Sequence, residues 1–394
     1  MQENKNNIKN VKRGKILYVI GSLNMGGAER HVVTMALALQ KRGWQPSLFV
    51  LSPEGPLLQP LNNAGIAVKG WNIPSWLPDI LGSRPSGWLQ SLLFMTRVAI
   101  ELLRHPGTVA HFFLPATYIL GGLAAWLVKS HPRIMSRRSL NYYQNKYPKY
   151  RKIECFLHSR MDIILGNSLA VVKELQGEVQ GDTPIKLIYN GIETAPIPTD
   201  SRSRIRAEMG VDDTAFVIII VANLIPYKGH KDLLNALNQI KDSLPNPWHL
   251  LCIGRDDGTG ESLHDLAKNM GIADNLILSG PRINIYDYLA AADIAVSASH
   301  EEGFSNSVLE AMMMGLPMVV TDVGGNGEAV LDGVTGHVVP SHDPTALGQG
   351  ILKLALDENR QKLGMAGRTR VIEHFSLKAC VDAYEAVYFD AKSK

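Results

Sequence analysis

Cysteine is scarce in this sequence. Cys155, Cys252 and Cys380 are the three in 394 residues, and no two have a paired spacing. That excludes a disulfide framework and a cysteine zinc site, and it predicts a reducing, cytoplasmic setting. Long apolar runs are lacking too. Positions 112–128 hold the one long uncharged stretch, 17 residues at the low edge for a membrane span. Pro115 and Gly121-Gly122 interrupt it, and shorter strand and helix pieces account for it. Positions 1–15 are polar and lysine-rich, and the apolar run 16–20 is far too short for a signal-peptide core. That segment reads as a first strand behind a disordered tail. No G-x-G-x-x-G spacing occurs, which disfavours a nicotinamide enzyme. No Asp-rich metal motif occurs, so no divalent ion is expected in the chemistry. There is no sequence repeat and no low-complexity tract.

What is present is ordinary in amount and uneven in placement. Apolar content is 45%, charged content 20% and net charge +3, the profile of a folded protein too long for a single core. Roughly 23 basic and roughly 11 acidic residues precede Ala195, so the remainder is acidic. Arg133, Arg137, Arg138, Lys146, Lys149, Arg151 and Lys152 occur without an acid between them, interleaved with Tyr142, Tyr143, Tyr147 and Tyr150. Three readings fit: a solvated basic surface, contact with anionic lipid head groups, or a site for a pyrophosphate-bearing acceptor. Nucleic acid is not expected, because no recognition motif accompanies the patch. Trp71, Trp76 and Trp88, with the apolar run 89–103, could join a membrane face, although core packing explains that run as well.

Strand-like and helix-like segments alternate along the chain, which predicts α/β architecture with parallel sheets wrapped by helices. Strands are expected at 15–21, 45–51, 109–113, 133–136, 162–166 and 186–189. A Pro-containing linker at 194–203 precedes a second series at 216–222, 248–254, 276–279, 293–299, 318–321 and 337–339. Two doubly wound domains facing a central cleft follow, with ligands expected beyond the C-terminal strand ends.

The chemistry gathers in loops that follow strands. Glu302 and Glu310 bracket a glycine, an aromatic and small polar residues, with a strand before them and a helix from 308 to 314 after. A helix start offers unpaired amides and partial positive charge, which suits a phosphorylated ligand flanked by carboxylates that grip hydroxyls. The plainer alternative is that Ser305 or Asn306 merely caps a helix and Glu310 is solvated. Lys228 follows a buried strand, where a cation can neutralise a diphosphate without metal, or it is a surface lysine. Gly26 and Gly27 let backbone approach a phosphate. Arg282 follows another strand, and 323–328 is a glycine-rich turn. His111 lies within an apolar strand, where a satisfied core histidine is the commoner outcome.

Together the segments around Gly26-Gly27, 223–229, 302–312, 315–317, Gly324-Gly325 with Glu328, and 332–336 resemble glycosyltransferase family 4. The resemblance covers nearly the whole chain after Lys15 and is densest over 222–340. It implies the GT-B fold: an acceptor-side Rossmann-like domain at 1–195, a nucleotide-sugar-binding domain at 196–375, and a C-terminal helix at 376–394 packing back toward the first. It implies a retaining transferase with a nucleoside-diphosphate sugar as co-substrate and no other cofactor. A glycan or lipid-linked acceptor and peripheral contact with an anionic membrane are the expected further partners. Residue by residue, Glu302 resembles the glutamate beside the donor sugar and Glu310 the one that holds the ribose hydroxyls. Phe304, Ser305 and Asn306 would offer amides to the sugar and diphosphate. Lys228 resembles the diphosphate lysine, Gly27 the closing glycine beside Gly26, and His111 the histidine near the donor sugar. Arg282 would lie by the base. One position departs: Asn223 stands where the family commonly has arginine, so a charge is missing or is supplied from elsewhere. An epimerase or phosphorylase of the same fold, or a non-catalytic sugar-nucleotide-binding subunit, are the alternatives.

Overall fold

The structure, a computed structural model, describes residues 13–70 and 83–393. The tail before them, with Trp71 and Trp76, lies outside the described residues, and Trp88 is exposed. Two compact units emerge. One runs through Gly166, resumes over Val172–Ile188 and takes in Val381–Lys394; the other comprises Asn167–Val171 and Tyr189–Cys380.

The first unit is built on seven parallel strands, β1 (Lys15–Ser22), β2 (Gln45–Ser52), β3 (Ala67–Gly70), β4 (Val109–Phe113), β5 (Arg133–Arg137), β6 (Ile163–Gly166) and β7 (Ile185–Leu187), in the order β3-β2-β1-β4-β5-β6-β7. β1 shows why. Ile16, Leu17, Tyr18, Val19 and Ile20 are each no more than 1% exposed, so the strand is covered on both faces and needs no polar alternation. The uncharged run at 112–128 is the end of β4 followed by the helix Pro115–Leu127. Among the described residues no helix is long and apolar enough to cross a membrane.

Two sequence expectations gain structural detail here. His111, which the resemblance places near the donor sugar, is built into the core of the first unit. It sits mid-strand in β4 at 0% exposure, with Nδ1 2.8 Å from the Tyr388 hydroxyl and Nε2 2.8 Å from Ser136 Oγ. Both ring nitrogens are already used, and the ring serves as a core link between the sheet and the helix Leu377–Lys392. The basic patch contracts, because Arg133 and Arg137 are buried. Arg137 makes a two-pronged bond to Glu178, at 2.7 and 2.8 Å, with Glu154 3.5 Å away. The acids that neutralise it lie beyond the acid-free interval, brought in by the helices Pro148–His158 and Leu169–Glu178. What stays exposed is Lys146, Lys149, Arg151 and Lys152 with Tyr142, Tyr147 and Tyr150.

Burial, with a smaller push from the charge of Arg138, holds His111 well below the usual histidine pKa, and the same causes act on His31. The unfolded chain takes protons on these rings below about pH 6.5, whereas the folded chain does not. Stability is therefore complete above that pH and falls as pH drops toward the folded values, by about 1.4 kcal/mol per ring per pH unit. Thermal melts between pH 7.5 and 5 should show a falling Tm that is shallower in His111→Asn than in wild type. Parallel slopes would refute the assignment.

The second unit carries β8 (Phe216–Val221), β9 (Trp248–Ile253), β10 (Leu276–Leu278), β11 (Ile294–Ser297), β12 (Met318–Thr321) and β13 (Gly336–Val339), all parallel, in the order β10-β9-β8-β11-β12-β13. The order reverses between β8 and β11. Chain leaving these two neighbours departs in opposite senses, which opens a crevice beyond their C-terminal ends.

Candidate active site at the strand reversal of the second unit

The loops after β8 and β11 flank that reversal, and they carry Lys228 and Glu302. Lys228 ends a single 3₁₀ turn, Pro226–Lys228. Gly229 follows at φ +73°, and a Cβ there would overlap the carbonyl oxygen of Ala298 just past β11. Only glycine lets the turn close against the neighbouring strand end. The closure brings Lys228 Nζ to 2.5 Å from Glu302 Oε1. Ser299 Oγ donates to the same carboxylate oxygen at 2.9 Å, and Thr321 Oγ1 fixes the Ser299 carbonyl at 2.6 Å. Lys228 and Glu302 side chains are 19% and 12% exposed: sheltered, yet within reach of a ligand. An ammonium has three donors, so the lysine can hold Glu302 and still face an anion.

Next comes the helix Asn306–Met313. Its N-cap, Ser305, is extended and makes no side-chain cap bond; Ser305 Oγ instead lies 3.1 Å from Ser307 Oγ. The first-turn amides therefore have no side-chain cap and stand at the positive end of the helix. Glu310 is 4% exposed, which removes the reading of a solvated helix residue. Phe304 is buried against Tyr189 and Phe375 and offers the site only its backbone.

The glycine-rich turn at 323–328 supports this segment. Gly324 has φ +52°, and a Cβ on it would overlap the Glu302 carbonyl oxygen. Gly325 N donates to Gly303 O at 2.9 Å. Glu328 accepts from the amides of Leu169 and Ala170 at 2.9 and 3.2 Å, so it anchors backbone.

Asn223 Oδ1 accepts the amide of Arg255 at 3.2 Å. The Arg255 guanidinium is exposed and paired with Asp257 at 2.6 and 3.0 Å. A cation thus stands on the loop bonded to the position that lacks one. Arg282 is exposed, with Nε 2.8 Å from Ser279 Oγ and its guanidinium over the Tyr288 ring. Gly26 and Gly27 belong to the first unit, at the start of the helix Gly27–Lys41. Glu29 folds over that start: its carboxylate occupies the space a Cβ on Gly26 would need.

Two residues escaped the sequence reading. Asn190 donates from Nδ2 to Phe304 O at 2.9 Å and to Asn306 Oδ1 at 2.7 Å, which ties the first residues of the second unit's long segment to the helix start. His230, directly after Gly229, is buried with neither ring nitrogen hydrogen-bonded. Burial, then the charge of Lys228, pushes its pKa down to about 4. A neutral imidazole two residues after Lys228 has no sequence signal beyond its place in the loop.

Two family models match this chain: Glycosyl transferases group 1 over residues 201–370 and Glycosyltransferase Family 4 over residues 25–196. N-acetyl-alpha-D-glucosaminyl L-malate synthase of Bacillus anthracis is 26% identical over 244 residues, 62% of this chain and 63% of that protein. D-inositol 3-phosphate glycosyltransferase of Rhodococcus erythropolis is 26% identical over 384 residues, 92% of this chain and 86% of that protein. Among solved structures, Anabaena HepE in complex with UDP aligns with a TM-score of 0.81 at 20% identity, covering 95% of this chain and 100% of that one. WaaG, a glycosyltransferase involved in lipopolysaccharide biosynthesis, aligns with a TM-score of 0.74 at 17% identity, covering 95% and 99%. The structural likeness establishes the fold, a GT-B architecture of two parallel-sheet Rossmann-like units.

Proposed function

Because the chain belongs to glycosyltransferase family 4, we propose that it moves a glycosyl group from a nucleoside-diphosphate sugar to an acceptor hydroxyl with retention of anomeric configuration. The observation that carries this reading is the contact of Lys228 Nζ with Glu302 Oε1, 2.5 Å, beside the uncapped start of the helix Asn306–Met313. As the glycosidic bond to the donor breaks, negative charge develops on the diphosphate. Lys228 and the first-turn amides are fixed donors for that charge and need no reorganisation at the moment of reaction. Glu302, one carboxylate held between a lysine and a serine, favours the oxocarbenium-like sugar. Glu310 holds ribose hydroxyls. The attack comes from the same face, assisted by the leaving phosphate. HepE has been solved with UDP and with UDP-glucose, which supports a uridine nucleotide as donor.

Asn223 supplies a neutral hydrogen bond where charge would serve better, and Arg255 is the cation nearest in bonding to it. Asn223→Arg should tighten UDP about 10-fold, the gain of exchanging a neutral for a charge-assisted hydrogen bond, about 1.4 kcal/mol. Calorimetric titration reads it, and unchanged affinity would place the diphosphate elsewhere.

The acceptor is a glycan or a lipid-linked intermediate. The exposed Lys146, Lys149, Arg151 and Lys152 with their tyrosines suit an anionic lipid surface, each cation contributing about 1 kcal/mol there. Lys149→Glu with Lys152→Glu should abolish co-flotation with phosphatidylserine vesicles at 0.1 M salt; equal flotation would end the membrane proposal.

The test of the activity is incubation with a panel of UDP-sugars, with and without hydroxyl acceptors, following UDP release and product anomer by NMR. UDP release stimulated by acceptor, with the donor configuration kept, is the expected result. A donor epimerised without acceptor, or turnover that requires inorganic phosphate, would move the protein to one of the alternative classes. Binding without any turnover would make it a sugar-nucleotide-binding subunit.

A further inference from the structure

Among the described residues one cluster has the composition of a metal site: Asp232, His300 and His342, whose ligand-type atoms all lie within 4.8 Å of one another. Three separate segments supply it. Asp232 is in the first turn of the helix His230–Ile240, His300 follows β11, and His342 follows β13. His300 Nε2 is 2.8 Å from Asp232 Oδ2. The His342 ring lies over His300 with centroids 3.7 Å apart and planes inclined by 32°.

An aspartate–histidine pair would be complete without His342. His342 is nonetheless held at φ +58°, a backbone conformation uncommon for a residue with a side chain. The carbonyl of Tyr227 accepts the His300 amide at 2.7 Å and fixes the backbone that carries the other ring. Two imidazoles and a carboxylate converging from three loops are the nitrogen and oxygen donors that borderline cations take, whereas magnesium and calcium prefer oxygen alone. A tetrahedral zinc ion, with bonds of about 2.0–2.2 Å, needs ligand atoms roughly 3.3 Å apart. Side-chain rotation of His342, which is exposed, closes the remaining distance. Cysteine spacing gave no hint of zinc because no cysteine takes part, and Asp232 and His300 are 68 positions apart.

We propose that Asp232, His300 and His342 form a Zn²⁺ site with one open coordination position, and that the ion clamps the loop carrying Glu302. His300 stands two residues before Glu302, and Asp232 lies on the helix that begins after Lys228-Gly229. An ion joining them ties the two loops of the candidate active site together. It is a regulatory or stabilising ion and takes no part in the proposed chemistry.

The experiment uses the full chain with any affinity tag removed and metal stripped by chelator. Titration with ZnCl₂ should show one site per chain at micromolar affinity and a chelator-reversible rise in Tm, with MgCl₂ inert. His342→Gly suits the positive φ and keeps the fold. It should match the metal-free wild-type Tm and bind zinc at least 100-fold more weakly. With a donor that turns over, zinc should change the wild-type rate and leave the His342→Gly rate unchanged. No zinc uptake by wild type, or equal uptake by His342→Gly, overturns the site. Uptake with equal rate responses in both proteins overturns the clamp.

Discussion

Lys228→Ala should lower kcat about 100- to 1,000-fold, the cost of removing one preorganised donor from a site where charge develops. It should also weaken UDP, because the same ammonium faces the ground-state diphosphate. The structure sharpens the expectation. Glu302 is only 12% exposed on its side chain. Without the lysine its carboxylate keeps the Ser299 bond and loses its counter-charge, so a repulsive group is left close to the incoming phosphates. Glu302→Gln should behave differently. Glutamine can keep a hydrogen bond to Ser299 but cannot compete for Lys228 as an ion. UDP should bind as well as in wild type or better, while kcat falls about 100-fold through loss of transition-state charge stabilisation. Initial-rate kinetics together with UDP titrations separate the two signatures. Near-normal turnover by both variants would remove the chemistry proposed.

Glu178→Ala should produce the largest loss of stability. Glu178 and Arg137 side chains are 2% and 4% exposed and joined by two hydrogen bonds. Burial alone would raise the Glu178 pKa, but hydrogen bonds from His158 and Arg137, and the arginine charge, outweigh it and hold the carboxyl far below its usual range. Its stabilising contribution is therefore present above about pH 4.3 and is lost only as pH falls toward that depressed value. Truncating the acid leaves the buried guanidinium with Glu154 alone, 3.5 Å away, which costs about 3–5 kcal/mol and lowers Tm by roughly 6–20 °C. Replacing both partners, Glu178→Leu with Arg137→Met, should recover part of the loss, since an apolar pair of similar volume is often neutral in such a place, while buried Glu154 keeps its bonds from Tyr143 and Gln144. Scanning calorimetry of the three proteins decides it. A double variant as unstable as Glu178→Ala would mean the network does more than neutralise itself.

The division between what sequence revealed and what it hid follows the range of the interactions. Buried parallel strands announce themselves as short apolar runs, so β1, β8 and β12 fall where alternation places them. Strand ends could be located for the same reason, and Lys228 and Glu302 were legible as loop residues. Their contact was not, because 74 positions separate them and only the strand order β8-β11 brings them together. His111 was legible as a residue within an apolar strand, but its partners Tyr388 and Ser136, 277 and 25 positions away, were not. The basic interval misled: Glu154 and Glu178 neutralise Arg137 from helices that a sequence window does not include. Glycine was the most informative residue type. Gly229 and Gly324 mark where backbone of one loop presses on carbonyl oxygens of the next, and those contacts hold the site.

One calorimetric comparison addresses the central claim: UDP and uridine, each titrated into wild type and Lys228→Ala. If Lys228 holds the diphosphate, the variant should bind UDP about 10- to 100-fold more weakly and uridine as wild type does. Equal UDP affinities in the two proteins would contradict the account.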